Sequence, residues 1–249
     1  MNNGKLFGII ALVAAIGFSA CSTDGGDPPP GQPGDGALGK TLTLSGQVKT
    51  IDFSLENGET LVDFTGSSEL KAGCKEDNNT WHFFTVGTGK VENGQFNFTI
   101  GEPKPEEIPA PNKQEILSVL LQLYANFKFS PSTVKIAELD FAMGADGKNG
   151  TLLREKRPSD QTKREREEVV YFYVDRDVTI TGTGKTTPEM NTTTKNINLS
   201  LKAGWNAVYV QREANNMTLS MGNPSHLQWV WRGRSSGGGT GIPDPGVEP

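Results

Sequence analysis

Gly89–Gly101 reads GKVENGQFNFTIG, and this stretch decides the fold class. Asn93-Gly94 is the pair of residues that a type I′ turn demands, because both central positions of that turn take positive φ. After it, Phe96, Phe98 and Ile100 fall on one face of a strand, with Gln95, Asn97 and Thr99 on the other. Short strands joined by polar turns at this spacing predict an all-β protein built as a β-sandwich.

The neighbours repeat the pattern. Leu42, Leu44 and Val48 alternate with Thr43, Gln47 and Lys49, which is a half-buried strand, and Trp81–Val86 is apolar on both faces. The hairpin resembles one found in transthyretin-like and carboxypeptidase-regulatory-like sandwiches, which implies a transthyretin- or immunoglobulin-like architecture. Gly101–Pro111 carries four Pro and reads as a linker, leaving a seam open between two subdomains at 101–111. One inserted α-helix is expected over 113–127: Asn112 caps it, Glu115 closes a capping box, and Ile116, Leu117, Leu120, Leu121, Tyr124 and Phe127 recur at helical spacing.

Strands resume at Thr133–Met143 and Thr151–Leu153, then at Val169–Val174, Asp177–Thr181, Asn196–Leu201, Trp205–Val210, Met217–Met221 and Leu227–Trp231. Between them, Arg154–Glu168 holds six basic and five acidic side chains, a near balance that predicts a solvated hairpin excursion rather than a nucleic-acid patch. The folded domain should therefore span 40–234. YFYVDRDVTITGTG, followed by INLSLKAGWNAVYV, is similar to a group of uncharacterised bacterial lipoproteins. That resemblance covers Tyr171 to about Val210 and implies secretion and a β-rich fold, with no activity attached.

Both ends differ in kind. Ser22–Gly39 has three Asp, no Lys or Arg and little to bury, so 21–39 reads as a disordered tether; 235–249 reads as a disordered tail. Before the tether, Lys5 precedes an apolar and small-residue run from Leu6 to Ala20 and then Cys21, the layout of a secretory signal over 1–20. The run is short for a span of the bilayer, which takes about 20 apolar residues. Phe18-Ser19-Ala20-Cys21 resembles the lipobox of bacterial lipoproteins. The resemblance implies that Cys21 is acylated, palmitate being one such chain, and is then the mature N-terminus. Its partner would be the lipid bilayer. Ser22 after the cysteine points, by the same resemblance, to the outer membrane, at its surface or periplasmic face.

Chemistry is sparse. The formal charge of −5 becomes −6 once Lys5 leaves with the signal, which gives no electrostatic reason to seek nucleic acid. With Cys21 acylated no intrachain disulfide forms, and Cys74 is an ordinary half-buried thiol. Gly182–Thr186 (GTGKT) lacks the first Gly of a phosphate loop and no helix pattern follows it, so it reads as a strand-to-strand loop, as does the GTGK at Gly87–Lys90. Asp146–Gly150 lacks the alternating acids of a calcium loop and reads as a hairpin turn. His82 and His226 form neither H-x-H nor H-E-x-x-H. No catalytic, cofactor-binding or metal-ligating residue is assigned, and the chain is not expected to be an enzyme or to carry a cofactor. Asp175 and Asp177 are the acidic pair a glycosidase reading would use. Trp229 and Trp231 share a strand face and read first as core, since Leu227 continues that face; a ligand platform for sugar rings is the other reading. The function expected is a membrane-anchored lipoprotein acting as a surface or periplasmic binding or structural module, with a protein or polysaccharide ligand. The alternatives are a fimbria-like surface subunit and a carbohydrate-binding or carbohydrate-active protein.

Overall fold

The computed structural model describes residues 36–52, 60–75, 83–104, 106, 108, 123–145, 148–156, 165–186, 193–213 and 216–233. These residues form fifteen β-strands, and no helix occurs among them. The hairpin forms as its turn residues require. β5 (Phe83–Glu92) and β6 (Gln95–Ile100) are joined by Asn93 and Gly94 at φ 50° and 74°. A Cβ on Gly94 would lie 1.8 Å from the Phe64 carbonyl oxygen, so no other residue fits. Along β6 the apolar residues are buried and the polar ones exposed, strictly by alternation.

From this hairpin the sheet grows in both directions. β6 pairs antiparallel with β2 (Leu42–Asp52), which also carries the short β3 (Thr60–Asp63). β2 runs parallel to β15 (Gln228–Gly233), and β15 pairs with β9 (Lys148–Lys156). On the other side β5 pairs with β4 (Ser68–Lys75) and β4 with β8 (Ile136–Ala145). The two ends then meet. β8 and β9 form a hairpin near Ala145 and Lys148 and splay apart beyond it. β10 (Arg166–Val174) fills the fork, its first half paired with β9 and its second with β8.

Eight strands thus close on themselves, and the expected sandwich is replaced by a β-barrel. Closure satisfies strand edges that an open sheet would leave unpaired. A barrel of this size has an interior that side chains alone can fill. Here Phe96, Phe98, Phe141, Tyr171, Trp229 and Trp231 fill it. Such bulk needs space opposite: a Cβ on Gly46 of β2 would lie 2.7 Å from Trp229 Cδ1.

A second layer is built on one wall of the barrel. β13 (Gly204–Glu213) pairs with β10 along its length, and β14 (Asn216–Met221) and β1 (Ala37–Gly39) pair with β13. Val169, Tyr171 and Tyr173 of β10, with Trp205 and Ala207 of β13, face the barrel. The alternate residues Phe172, Val174, Val208 and Val210 face outward into a second core. A separate three-stranded sheet covers them, ordered β12 (Thr193–Leu201), β11 (Val178–Thr186), β7 (Leu123–Ser130). It contributes Phe127, Ile180 and Leu199.

Several expectations are corrected. Residues 123–127 of the expected helix belong to β7, paired residue by residue with β11, while 113–122 lie outside the described residues. Strands on both sides of 101–111 interleave in one ring, so the chain does not divide there. The fold begins inside the expected tether, because the Gly36 carbonyl accepts from Ala207 N–H at 2.8 Å and Leu38 packs on the barrel core. Gly87–Lys90 and Gly182–Thr186 lie within β5 and β11 rather than in loops. Residues 1–35 and 234–249 lie outside the described residues, and with them the signal, Cys21 and the tail. Deleting 22–35 is expected to leave the melting temperature unchanged, whereas deleting 22–39 removes β1 and should lower it by several degrees. Thermal melts of the two variants distinguish a docked β1 from an idle one.

Candidate functional site

One end of the barrel gathers several polar side chains that point inward. There β9 ends, β10 and β15 begin, and the connection from β14 to β15, residues 222–227, crosses the opening as a strap. By strand parity Arg154 and Lys156 of β9 and Glu167 of β10 lie on the barrel side, like Leu152 and Val169. Arg154 Nη1 donates to Asn223 Oδ1 at 2.6 Å and Nη2 to the Pro224 carbonyl at 2.9 Å, so its fork grips the strap. Its guanidinium carbon sits 5.9 Å from the centre of the Trp229 ring. Glu167 holds the far end of the strap: its Oε2 lies 2.6 Å from His226 Nε2 and accepts from the Tyr209 hydroxyl, and its Oε1 accepts from Lys156 Nζ at 3.1 Å.

These bonds set the charge states. Burial pushes the Glu167 carboxyl up, but hydrogen bonds from Tyr209, His226 and Lys156 outweigh it and hold the group below its ordinary 4.5. The Tyr209 phenol is raised, first by burial and then by that carboxylate. A carboxyl with a depressed folded-state pKa stabilises the fold above its unfolded value and loses that contribution as pH falls through the folded one. Glu167→Gln should therefore melt below the wild type at neutral pH, with the gap narrowing below about pH 4.5 and closing in stronger acid. A gap that stays constant from pH 7 to 3 would show that the Glu167 charge does not fasten the strap.

On the outer face of the same strands lies a second charged group. Glu155 is fully buried and receives Arg232 at both oxygens, with Nε donating to Oε1 at 2.9 Å and Nη2 reaching Oε2. Arg166 Nε lies 3.1 Å from Glu155 Oε2 but off the hydrogen-bond direction, so that contact is Coulombic. The Arg166 fork continues to Glu168 at 2.6 Å, and Arg212 reaches Glu168 at 3.1 Å. Acids and bases alternate across four strands. The hairpin expected over Arg154–Glu168 forms by antiparallel pairing of β9 with β10, but its two ends, Arg154–Lys156 and Arg166–Glu168, are strand residues rather than a solvated excursion, and 157–164 lie outside the described residues. Composition gave a charge count for this stretch; only register shows that the charges stack.

The residues singled out in the sequence are placed as follows. Trp229 and Trp231 are 5% and 6% exposed and point into the barrel, and Trp231 Nε1 donates to the Met143 carbonyl at 3.0 Å, so neither ring face is open to a sugar. Cys74 is fully buried in the barrel core rather than half-buried. His226 is in the strap; His82 lies outside the described residues. Asp175 and Asp177 are not brought together on an open site but serve separate turns. Asp175 accepts from the Lys135 N–H at 2.8 Å and pairs with Arg176, while Asp177 accepts from the Ala203 N–H and Lys202 Nζ, both at 2.9 Å. Burial raises Asp175, yet Arg176 and the Lys135 amide bring it below its ordinary value; the Ala203 amide and then Lys202 lower Asp177. Among the described residues no three His, Cys, Asp or Glu side chains are grouped to hold a metal ion. In the sequence Arg154 and Glu167 each look like one more charge in a charged run; strand parity with Leu152 and Val169 is the signal that singles them out.

Compared with known proteins, the chain matches no family model, no curated protein and no solved structure.

Proposed function

We propose that this protein is a lipid-anchored lipoprotein of the bacterial outer membrane that presents a β-barrel binding module on a short tether. The observation that carries the reading is the lipobox-like Phe18–Cys21 after an apolar run, followed by an Asp-, Gly- and Pro-rich spacer. The spacer leads to Gly36, the first described residue, whose carbonyl accepts from Ala207 of β13. The residues 22–35 extend to at most about 50 Å, so the module can stand clear of the headgroups. Binding falls to the strapped end, where half-buried polar groups converge over an aromatic interior.

The test is acylation at Cys21. More than one acyl chain holds a protein firmly to a bilayer, at about 0.8 kcal/mol per buried CH₂. Wild-type protein should incorporate a fatty-acid probe and sediment with membranes, and Cys21→Ala should lose the label and either accumulate unprocessed or become soluble. A Cys21→Ala protein that is cleaved and membrane-bound like the wild type rules the anchor out.

A further inference from the structure

Arg154 is a half-buried cation, and among the described residues no acid forms an ion pair with it. Its partners among the described residues are Asn223 Oδ1, the Pro224 carbonyl, the Tyr171 hydroxyl at 3.4 Å and the Trp229 ring, all neutral. Its Nε is buried and has no hydrogen-bond partner among the described residues. A buried charge is normally balanced by an opposite one. Here the guanidinium lies over the face of Trp229, which carries the negative end of the aromatic quadrupole.

The rings form a box. Tyr171 and Trp229 are parallel within 10°, centroids 6.3 Å apart. Phe141 stands edge-on to both, at 6.3 and 5.6 Å, and Phe96 edge-on to Trp229 at 5.2 Å. The strap over this box has, outside the strands, one backbone-to-backbone bond among the described residues, from Gly222 N–H to the Ala207 carbonyl at 3.1 Å, and Leu227 at its end is buried in the barrel core. Side-chain fastenings of the strap include the Arg154 fork, the Tyr171 hydroxyl, which lies 3.4 Å from Asn223 Oδ1, and the Glu167–His226 contact. Asn223, Ser225 and His226 are exposed.

We propose that the aromatic box behind residues 222–227 is a binding site for a ligand bearing an ammonium or guanidinium group, and that Arg154 occupies it in the ligand's absence. An incoming cation takes the place over Trp229. Arg154 then swings out, releases Asn223 and Pro224, and the strap lifts. The site is thus autoinhibited by its own arginine. This deepens the binding-module reading and rests on it.

The probe is tetramethylammonium chloride, compared with sodium chloride at equal ionic strength on the wild-type protein. Tetramethylammonium should change tryptophan emission saturably and speed amide exchange in 222–227 several-fold, with the barrel strands unchanged; identical behaviour in the two salts overturns the proposal. Arg154→Met keeps the stem against Trp229 but removes the charge and the fork. It should bind the probe roughly tenfold more tightly and show fast strap exchange from the start. Binding no tighter than the wild type, in a variant with a native circular dichroism spectrum, also overturns it. If the variant does not fold, the two-salt comparison on the wild type decides. Loss of probe binding with Cys21 still labelled and the protein still on membranes would sink the ligand and leave the anchor standing.

Discussion

Changing Glu155 to alanine should destabilise the protein by about 3 kcal/mol, near the low end for breaking a buried ion pair. The carboxylate is fully buried and three of its contacts are to Arg232 and Arg166. Removing it takes away the carboxylate that lies between the Arg232 and Arg166 guanidinium groups, although Arg166 keeps its pairing with Glu168. The cost stays near 3 rather than 5 because both arginines keep some solvent, at 24% and 30% exposed. Urea unfolding should show a lower midpoint at an unchanged slope. A companion variant sharpens the interpretation. Replacing Glu155, Arg166 and Arg232 together by leucine removes the stranded charges, and should recover most of the loss, since packed apolar side chains often match a buried ionic cluster. If the single and triple variants are equally unstable, the destabilisation comes from lost packing and not from charge.

Trp205→Ala should cost about 3–5 kcal/mol, the range for deleting a large buried aromatic. Trp205 is fully buried at the start of β13, opposite Tyr173 of β10. The two rings meet edge to face at 5.4 Å, and the indole N–H donates to the Gly101 carbonyl at 3.0 Å. That bond ties the chain leaving β6 to a strand more than a hundred residues later. Trp205→Phe keeps most of the bulk and loses the donor, so it should cost about 1 kcal/mol. Equilibrium unfolding of both variants measures the difference. An alanine variant within about 0.5 kcal/mol of the wild type would mean that the ring does not support the barrel.

What was legible in the sequence is local. Asn93-Gly94 and the alternation Phe96, Phe98, Ile100 define a hairpin whatever surrounds it, because turn chemistry and side-chain parity are properties of a dozen residues. Whether such hairpins stack as two sheets or roll into a ring depends on pairings between distant strands. Val48 opposite Trp229 is one, and the splaying of β8 from β9 around β10 is another. No periodicity encodes either. The helix misreading has a similar origin. Leu120, Leu121, Tyr124 and Phe127 satisfy a 3.6-residue period, but Phe127 and Phe129 also alternate with Lys128 and Ser130. Pairing with β11 decides for strand over 123–130, and aromatic side chains suit a pleated surface. At the candidate site the charges were visible and their faces were not. Strand parity puts Arg154 inside and Glu155 outside, although the two are adjacent in the chain.

The parallel pairing of β2 with β15 carries a consequence for how the molecule is made. Val48 leaves the ribosome roughly 180 residues before its partner Trp229. Until then β2 presents an unsatisfied edge, and the ring cannot shut however well its early hairpins form. Contacts of such long sequence separation make folding slow, and open strand edges recruit other chains. Protein released without its last strand should therefore aggregate rather than persist as a smaller barrel. During synthesis this edge of β2 stays unpaired until the final twenty or so residues of the fold arrive.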